Sequence, residues 1–168
     1  LHPFIRNAVG CMEFGGCFLN KRLNRNNDGG TTRRTTDIFQ LATTVLFQNP
    51  VQNFALAPNN LKDVSPVCMD YMKTIPTTWD ETCFIDGYPG KYVVLARRHG
   101  GTWYVAAINA GKETLKLKLD LEMFAGKTVT LYKDDKKGEP QLVPLKVKEN
   151  GKVQLEILPQ GGAVLVNK

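Results

Sequence analysis

The chain has 168 residues, 42% of them hydrophobic and 23% charged, the composition of an ordinary globular protein that can bury one sizeable core, which excludes a disordered chain. Its formal net charge of +6 raises the question of an anionic partner, and the distribution of the charges answers it. Lys21, Arg22, Arg25, Arg33 and Arg34 fall in an Asn/Gly/Thr-rich stretch without an aromatic residue, and the lysines beyond residue 111 alternate with acids, so an exposed basic loop and a solvated sheet face are expected, not a nucleic-acid groove that interleaves basic and stacking side chains.

No run of about 18 apolar residues occurs, so no transmembrane helix and no membrane partner are expected. The sequence opens at Leu1 without Met and without a basic-then-apolar leader, which we read as a piece of a longer protein.

In chain order, the first clear element is a helix over 37–48. Ile38, Leu41, Ala42, Val45 and Leu46 recur at the spacing of one helix face, Thr36 or Asp37 can cap the first free amides, and Pro50 forbids continuation. A second helix starts at Ser65 as N-cap with Pro66 in first position, carries Val67, Met69, Tyr71 and Met72, and ends before Pro76. From Thr82 the hydrophobic period becomes two. A strand over 92–96, a hairpin turn at Arg97-Arg98-His99-Gly100-Gly101 and a strand over 102–108 follow. Leu115, Leu117 and Leu119 alternate with Lys116, Lys118 and Asp120, the pattern of a half-buried antiparallel strand. Further strands fit 128–132, 142–147, 152–158 and 163–166, separated by Gly-, Asp- and Asn-bearing turns. The fold expected is mainly β: an antiparallel two-sheet β-sandwich of about seven or eight strands preceded by a short α-helical segment. The joint lies at Ile75-Pro76-Thr77-Thr78-Trp79-Asp80-Glu81-Thr82, dividing the chain into 1–78 and 79–168.

Few residues point to chemistry. Cys11, Cys17, Cys68 and Cys83 form no C-x-x-C and have no nearby His pair, so buried thiols are expected and a Cys11–Cys17 bridge stays open. His2 and His99 lack partners that would make a relay and are expected to be solvated. Trp79, Trp103 and Tyr104 admit two readings. On an alternating strand Trp103 is core and Trp79 seals the joint; displayed, the same rings would stack on pyranoses in an independent carbohydrate-binding β-sandwich module.

Taken together, Pro3-Phe4-Ile5-Arg6-Asn7, Met12-Glu13-Phe14, the helix with Leu41-Ala42 and Val45, Asn49-Pro50-Val51-Gln52, the joint motif, Ala96-Arg97-Arg98 and Trp103-Tyr104-Val105 resemble, in order and spacing, the carboxy-terminal part of glycoside hydrolase family 97. The resemblance implies an exo-acting α-glucosidase or α-galactosidase, exported to the periplasm, built from an amino-terminal β-domain, a (β/α)8 barrel with the active site and a calcium ion, and a carboxy-terminal β-sandwich. Residues 1–78 would then be the end of the barrel, with its last strand and helix, and 79–168 the sandwich. The partners implied are the rest of the barrel and an oligosaccharide substrate.

Glycoside hydrolysis needs two carboxyl groups facing one cleft, about 5–5.5 Å apart for retention and about 6.5–9.5 Å for inversion. The family's catalytic and calcium-binding carboxylates precede the Pro3-Phe4 motif, so none is carried onto this sequence: no catalytic and no metal residue is assigned, and the segment alone is expected to be an inactive scaffold. Asp80 and Glu81 are neighbours on an extended chain, which sends them to opposite faces, and they are expected to be structural. Glu13, where the family has Met-Asp-Tyr at the end of a barrel strand, is the one candidate substrate-binding residue. Ile5 in place of a family Thr, and Cys11-Met12-Glu13-Phe14-Gly15-Gly16 in place of a Pro-Met-Asp-Tyr-Thr-Pro-like segment, mark a divergent subgroup.

Overall fold

The computed structural model describes residues 1–12, 17–20, 22, 29–56 and 58–167. A short strand β1 (Cys17–Phe18), helix α1 (Asp37–Leu46) and a short strand β2 (Phe54–Ala55) come first. The two strands pair in parallel, and the helix between them supplies the long crossover that parallel pairing requires. A 3-10 turn (Pro58–Asp63) leads to α2 (Pro66–Met72). Both helices start as their sequences dictate: Thr36 Oγ1 accepts from Phe39 N at 3.1 Å and Ser65 Oγ accepts from Val67 N at 3.3 Å. Helix α1 stops at Leu46, two residues short of the expected end, because Phe47 turns extended with φ −95° and ψ 131°.

Eight antiparallel strands follow: β3 (Glu81–Tyr88), β4 (Tyr92–His99), β5 (Thr102–Asn109), β6 (Leu115–Asp120), β7 (Thr128–Asp134), β8 (Pro140–Lys146), β9 (Lys152–Ile157) and β10 (Gly162–Val166). Six form one sheet in the order β3-β4-β5-β10-β7-β8, and β6 pairs with β9 in a second, two-stranded sheet. The mainly-β, two-sheet expectation holds. Strand β4 runs three residues beyond its expected end and turns on Gly100 and Gly101 alone, so Arg97 and Arg98 lie in the strand and pair with Tyr104 and Trp103 of β5. The arginines expected in the turn are strand residues because the glycine pair alone supplies the tight turn, Gly100 at φ 57°.

The six-stranded sheet is buried on both faces, which is why its central strands are apolar throughout. On one face Val94, Ala96, Val105, Ala107, Leu131 and Leu165 meet Leu117, Leu119, Val153, Leu155 and Ile157 of the small sheet. On the other, Val93, Leu95, Tyr104, Ala106, Ile108, Tyr132, Val164 and Val166 share one core with Ile38, Leu41, Ala42 and Val45 of α1 and Cys68 and Tyr71 of α2. Helix α1 lies directly on β10: a Cβ at Gly162 would sit 2.8 Å from Ile38 O and Phe39 Cα. A polar tie fixes the same approach, since Thr36 Oγ1 donates to Asp134 Oδ2 at 2.9 Å and Gly162 N donates to the same oxygen at 3.1 Å. Burial pushes the Asp134 carboxyl up to about 6, against the lowering effect of those two hydrogen bonds.

The expected exposed basic loop is only partly so. Arg33 is folded inward, pairing with Asp37 and donating to Asn20 O at 3.3 Å and Thr35 O, because α1 begins with an acid four residues on that its guanidinium can reach. Arg34 is exposed, and Lys21 and Arg25 lie outside the described residues. All four cysteines are free. Cys17 and Cys68 are buried, and desolvation pushes the Cys17 thiol up to about 12 and raises the Cys68 thiol as well. Cys83 is half-buried and Cys11 exposed, contrary to the expectation of uniformly buried thiols.

Candidate functional site

Glu13, the candidate substrate-binding residue, lies outside the described residues. Asp80 and Glu81 are ties at the joint. Asp80 Oδ2 accepts from Gly100 N at 2.7 Å, and both carboxylates reach Arg98, Glu81 at 3.2 Å from Nε and Asp80 at 3.7 Å from Nη1. They converge on one guanidinium because Asp80 precedes the first residue of β3, so strict alternation does not yet apply to the pair. All three side chains are a third or more exposed, which makes these ion pairs positioning contacts and not a large source of stability. His99 Nδ1 donates to Thr78 O at 2.9 Å across the same joint, and His2 packs edge-on against Phe47 at 5.7 Å.

The aromatic residues are engaged. Trp79 is half-buried, meets Tyr104 edge-to-face at 5.3 Å, and carries the Arg97 guanidinium 5.9 Å from its ring centre. Trp103 is half-buried against the core between the sheets, with the Arg98 guanidinium 5.9 Å from its ring centre. An arginine over each indole occupies a face that a pyranose would need.

Behind the joint lies a hollow of about 220 Å³ lined by Cys11, Asn49, Thr78, Trp79, Thr82 and Arg97. Cys11 and the loop after α1 build one side of it, and the joint, the start of β3 and β4 the other. Arg97 shares a strand face with Val93 and Leu95, the face turned to the helices, so alternation carries its side chain inward, and it is 2% exposed. Its Nε and Nη1, like Trp79 Nε1, are buried without a hydrogen-bond partner among the described residues. Burial pulls the Arg97 guanidinium down to about 10, with the Cys11 thiol opposing the shift; it stays charged at neutral pH. The sequence does not single this residue out, because the Arg-Arg-His-Gly-Gly run has the composition of a turn that ends the strand at Ala96. Extending the alternation by one step would have exposed a cation at an apolar position.

A larger hollow of about 600 Å³ opens beside the small sheet, lined by Lys118, Lys146, Lys148 and Lys152 with Asp120 and apolar side chains, and no aromatic residue. Among the described residues no three His, Cys, Asp or Glu side chains gather as a metal site would require.

Residues 78–167 match the family model described as glycosyl-hydrolase 97 C-terminal, oligomerisation. A crystal structure of a beta-arabinopyranosidase superposes on 99% of the chain with a TM-score of 0.97 and 84% identity, the chain covering 27% of that protein. A retaining alpha-galactosidase of Bacteroides thetaiotaomicron is 29% identical over 97% of this chain, which spans 26% of it. A family 97 enzyme from Pseudoalteromonas sp. strain K8, solved in complex with acarbose, shares the fold at a TM-score of 0.78 and 24% identity over 98% of the chain, which covers 27% of that protein. The 168 residues thus span about a quarter of the length of each of these relatives, and over more than half of its own length the chain matches one family model: it belongs to glycoside hydrolase family 97 and holds that family's C-terminal domain.

Proposed function

We propose that this chain is the C-terminal region of an exo-glycosidase that removes terminal β-L-arabinopyranosyl residues, and that its work there is to scaffold the barrel and hold copies of the enzyme together. The observation that carries the substrate is the 84% identity, across 99% of the chain, to a beta-arabinopyranosidase. The alpha-galactosidase relative belongs to the same stereochemical class, since a β-L-arabinopyranoside has the ring configuration of an α-D-galactoside and lacks only its hydroxymethyl group. The parallel β1–β2 pair joined by α1 is the unit that the end of a (β/α)8 barrel would contribute. Among the described residues no carboxylate pair faces a cleft, Asp80 and Glu81 being committed to Arg98, so catalysis belongs to the rest of the enzyme. On the same reading calcium is held by the rest of the enzyme, and the enzyme is exported to the periplasm.

The experiment is hydrolysis of nitrophenyl β-L-arabinopyranoside, α-D-galactopyranoside and α-D-glucopyranoside by the full enzyme and by these 168 residues, each with calcium and with chelator. The full enzyme is expected to prefer the arabinopyranoside and the 168 residues to turn over none. Preference for the glucoside, or turnover by the short chain, overturns the assignment.

Oligomerisation, the second half of the reading, falls on the β3 edge of the large sheet. The opposite edge strand, β8, carries Pro140 and Pro144, which lack the donor that a further strand would need. Strand β3 has no proline and leaves Phe84 and Tyr88 60% and 59% exposed. Light scattering of Phe84→Glu/Tyr88→Glu in the full enzyme should report a smaller particle than the parent; an unchanged mass removes β3 from the interface.

A further inference from the structure

The hollow behind the joint holds three buried donors, Arg97 Nε, Arg97 Nη1 and Trp79 Nε1, none with an acceptor among the described residues. Its remaining polar lining, Asn49, Thr78 and Thr82 among it, is neutral. A buried cation without a counter-charge costs several kcal/mol in isolation, and a sequence that keeps arginine at a strand position where Val93 and Leu95 set the pattern must recover that cost elsewhere. The planar guanidinium presents a fork that matches a carboxylate through two parallel hydrogen bonds. The volume, about 220 Å³, lies below the range of roughly 300–1,000 Å³ typical of pockets for sugars and cofactors. It has room for one side-chain carboxylate.

We propose that the Arg97–Trp79 hollow is the receptor for an aspartate or glutamate side chain contributed by the remainder of the glycosidase, forming a buried ion pair that locks the sandwich to the barrel. This rests on the reading of the chain as part of a longer enzyme. The relatives carry about three-quarters of their length outside the region matched here, and the hollow lies where the loop between α1 and β2 meets the sandwich. That loop leads into the short parallel pair, so the place where further barrel strands would add is next to it. The carboxylate accepts along one edge of the guanidinium, Nη2 together with Nε or Nη1, with the indole N–H beside it and the Cys11, Asn49 and Thr78 rim around it.

The sign of one substitution tests the assignment in two proteins. In the 168-residue chain Arg97→Met removes an unpaired buried charge and is expected to leave the melting temperature unchanged or raise it by a few degrees. In the full enzyme the same substitution strands a buried carboxylate and is expected to lower the melting temperature by roughly 5 °C or more. Arg97→Lys, which keeps the charge and loses the fork, should lower the melting temperature of the full enzyme more than that of the short chain; this comparison decides the matter if full-length Arg97→Met does not accumulate. Acetate at 50–200 mM serves as the probe for a soluble occupant. It is expected to raise the melting temperature of the short chain but not of its Arg97→Met variant, and to have no Arg97-dependent effect on the full enzyme. Equal shifts of the arginine variants in both proteins overturn the proposal, as does acetate protection of the full enzyme, which would make the hollow an anion site open to solvent. Arabinopyranoside hydrolysis measured on the same preparations separates the two readings: an active enzyme indifferent at Arg97 refutes the lock alone, and an inactive one showing the sign reversal refutes the substrate alone.

Discussion

Deleting residues 1–78 is expected to cost the sandwich its cooperative fold. The seven large side chains Val93, Leu95, Tyr104, Ile108, Tyr132, Val164 and Val166 are all buried on the helix-facing side of the large sheet, in one core with α1 and α2. Without the helices these side chains are wet in the folded state as they are in the unfolded one, so their burial no longer favours folding. At the low end of about 1.5 kcal/mol for each, seven of them forfeit about 10 kcal/mol, which is within the range of a small domain's whole stability, about 5–15 kcal/mol. The inter-sheet core around Leu117, Leu155, Phe124 and Leu165 survives the deletion, so the expected product is compact and rich in strand without fixed packing. Near-ultraviolet circular dichroism, dye binding and urea titration of 79–168 against 1–168 decide it. The short form should bind the dye and lack a cooperative transition. A sharp transition within roughly 3 °C or an equivalent urea midpoint of the longer chain, independent of concentration, would refute the reasoning, because it would mean that the helices cover the sheet without supporting it.

Asp134 makes stability depend on pH in the unusual direction. Its carboxyl rises from 3.8 unfolded to about 6 folded through burial, so between those values the folded state binds more protons than the unfolded one, and stability falls as pH rises through that window. The penalty is absent below 3.8 and complete above about 6; its size, on the order of 3 kcal/mol at most, should vanish from the pH profile of Asp134→Asn, and a profile identical to the parent's would rule the group out. Gly162→Ala places a Cβ 2.8 Å from Ile38 O and Phe39 Cα and should destabilise by about 1–3 kcal/mol as α1 is pushed off the sheet, whereas Gly101→Ala, with open space around it, should not; thermal melts of the pair check this. Tyr71→Phe removes the 3.0 Å contact with Thr44 Oγ1, which keeps its bond to Leu41 O, so urea unfolding should show a loss of only about 1 kcal/mol. Trp103→Ala should cost about 2 kcal/mol, below the range for a fully enclosed ring, because the indole is half-buried; a melt unmoved by this change would instead favour a displayed ring.

What the sequence made legible, and what it hid, follows from the range of the interactions involved. The helix starts at Thr36 and Ser65 were readable because a cap is a contact over two or three residues. Strands β6 and β9 were readable because Leu117, Leu119, Val153 and Leu155 alternate with solvated polar residues, a pattern that burial on one face alone produces. The inward turn of Arg33 was not, since its bond to Asn20 joins segments thirteen residues apart. Arg97 is the informative failure. Two adjacent arginines before His-Gly-Gly carry the composition of a turn, and nothing local states that one of them continues the face set by Val93 and Leu95 beneath Trp79. Its placement is decided by pairing with Tyr104 on one side and Thr82 on the other, and both contacts exist only once the sheet has formed. Local rules fail where a residue answers to something beyond its own segment. Asp80, Glu81 and Arg98 answer to one another, and their geometry is complete within the chain. Among these joint residues Arg97 is the buried one, and its Nε and Nη1 have no acceptor among the described residues; the carboxylate proposed from the rest of the enzyme would supply one.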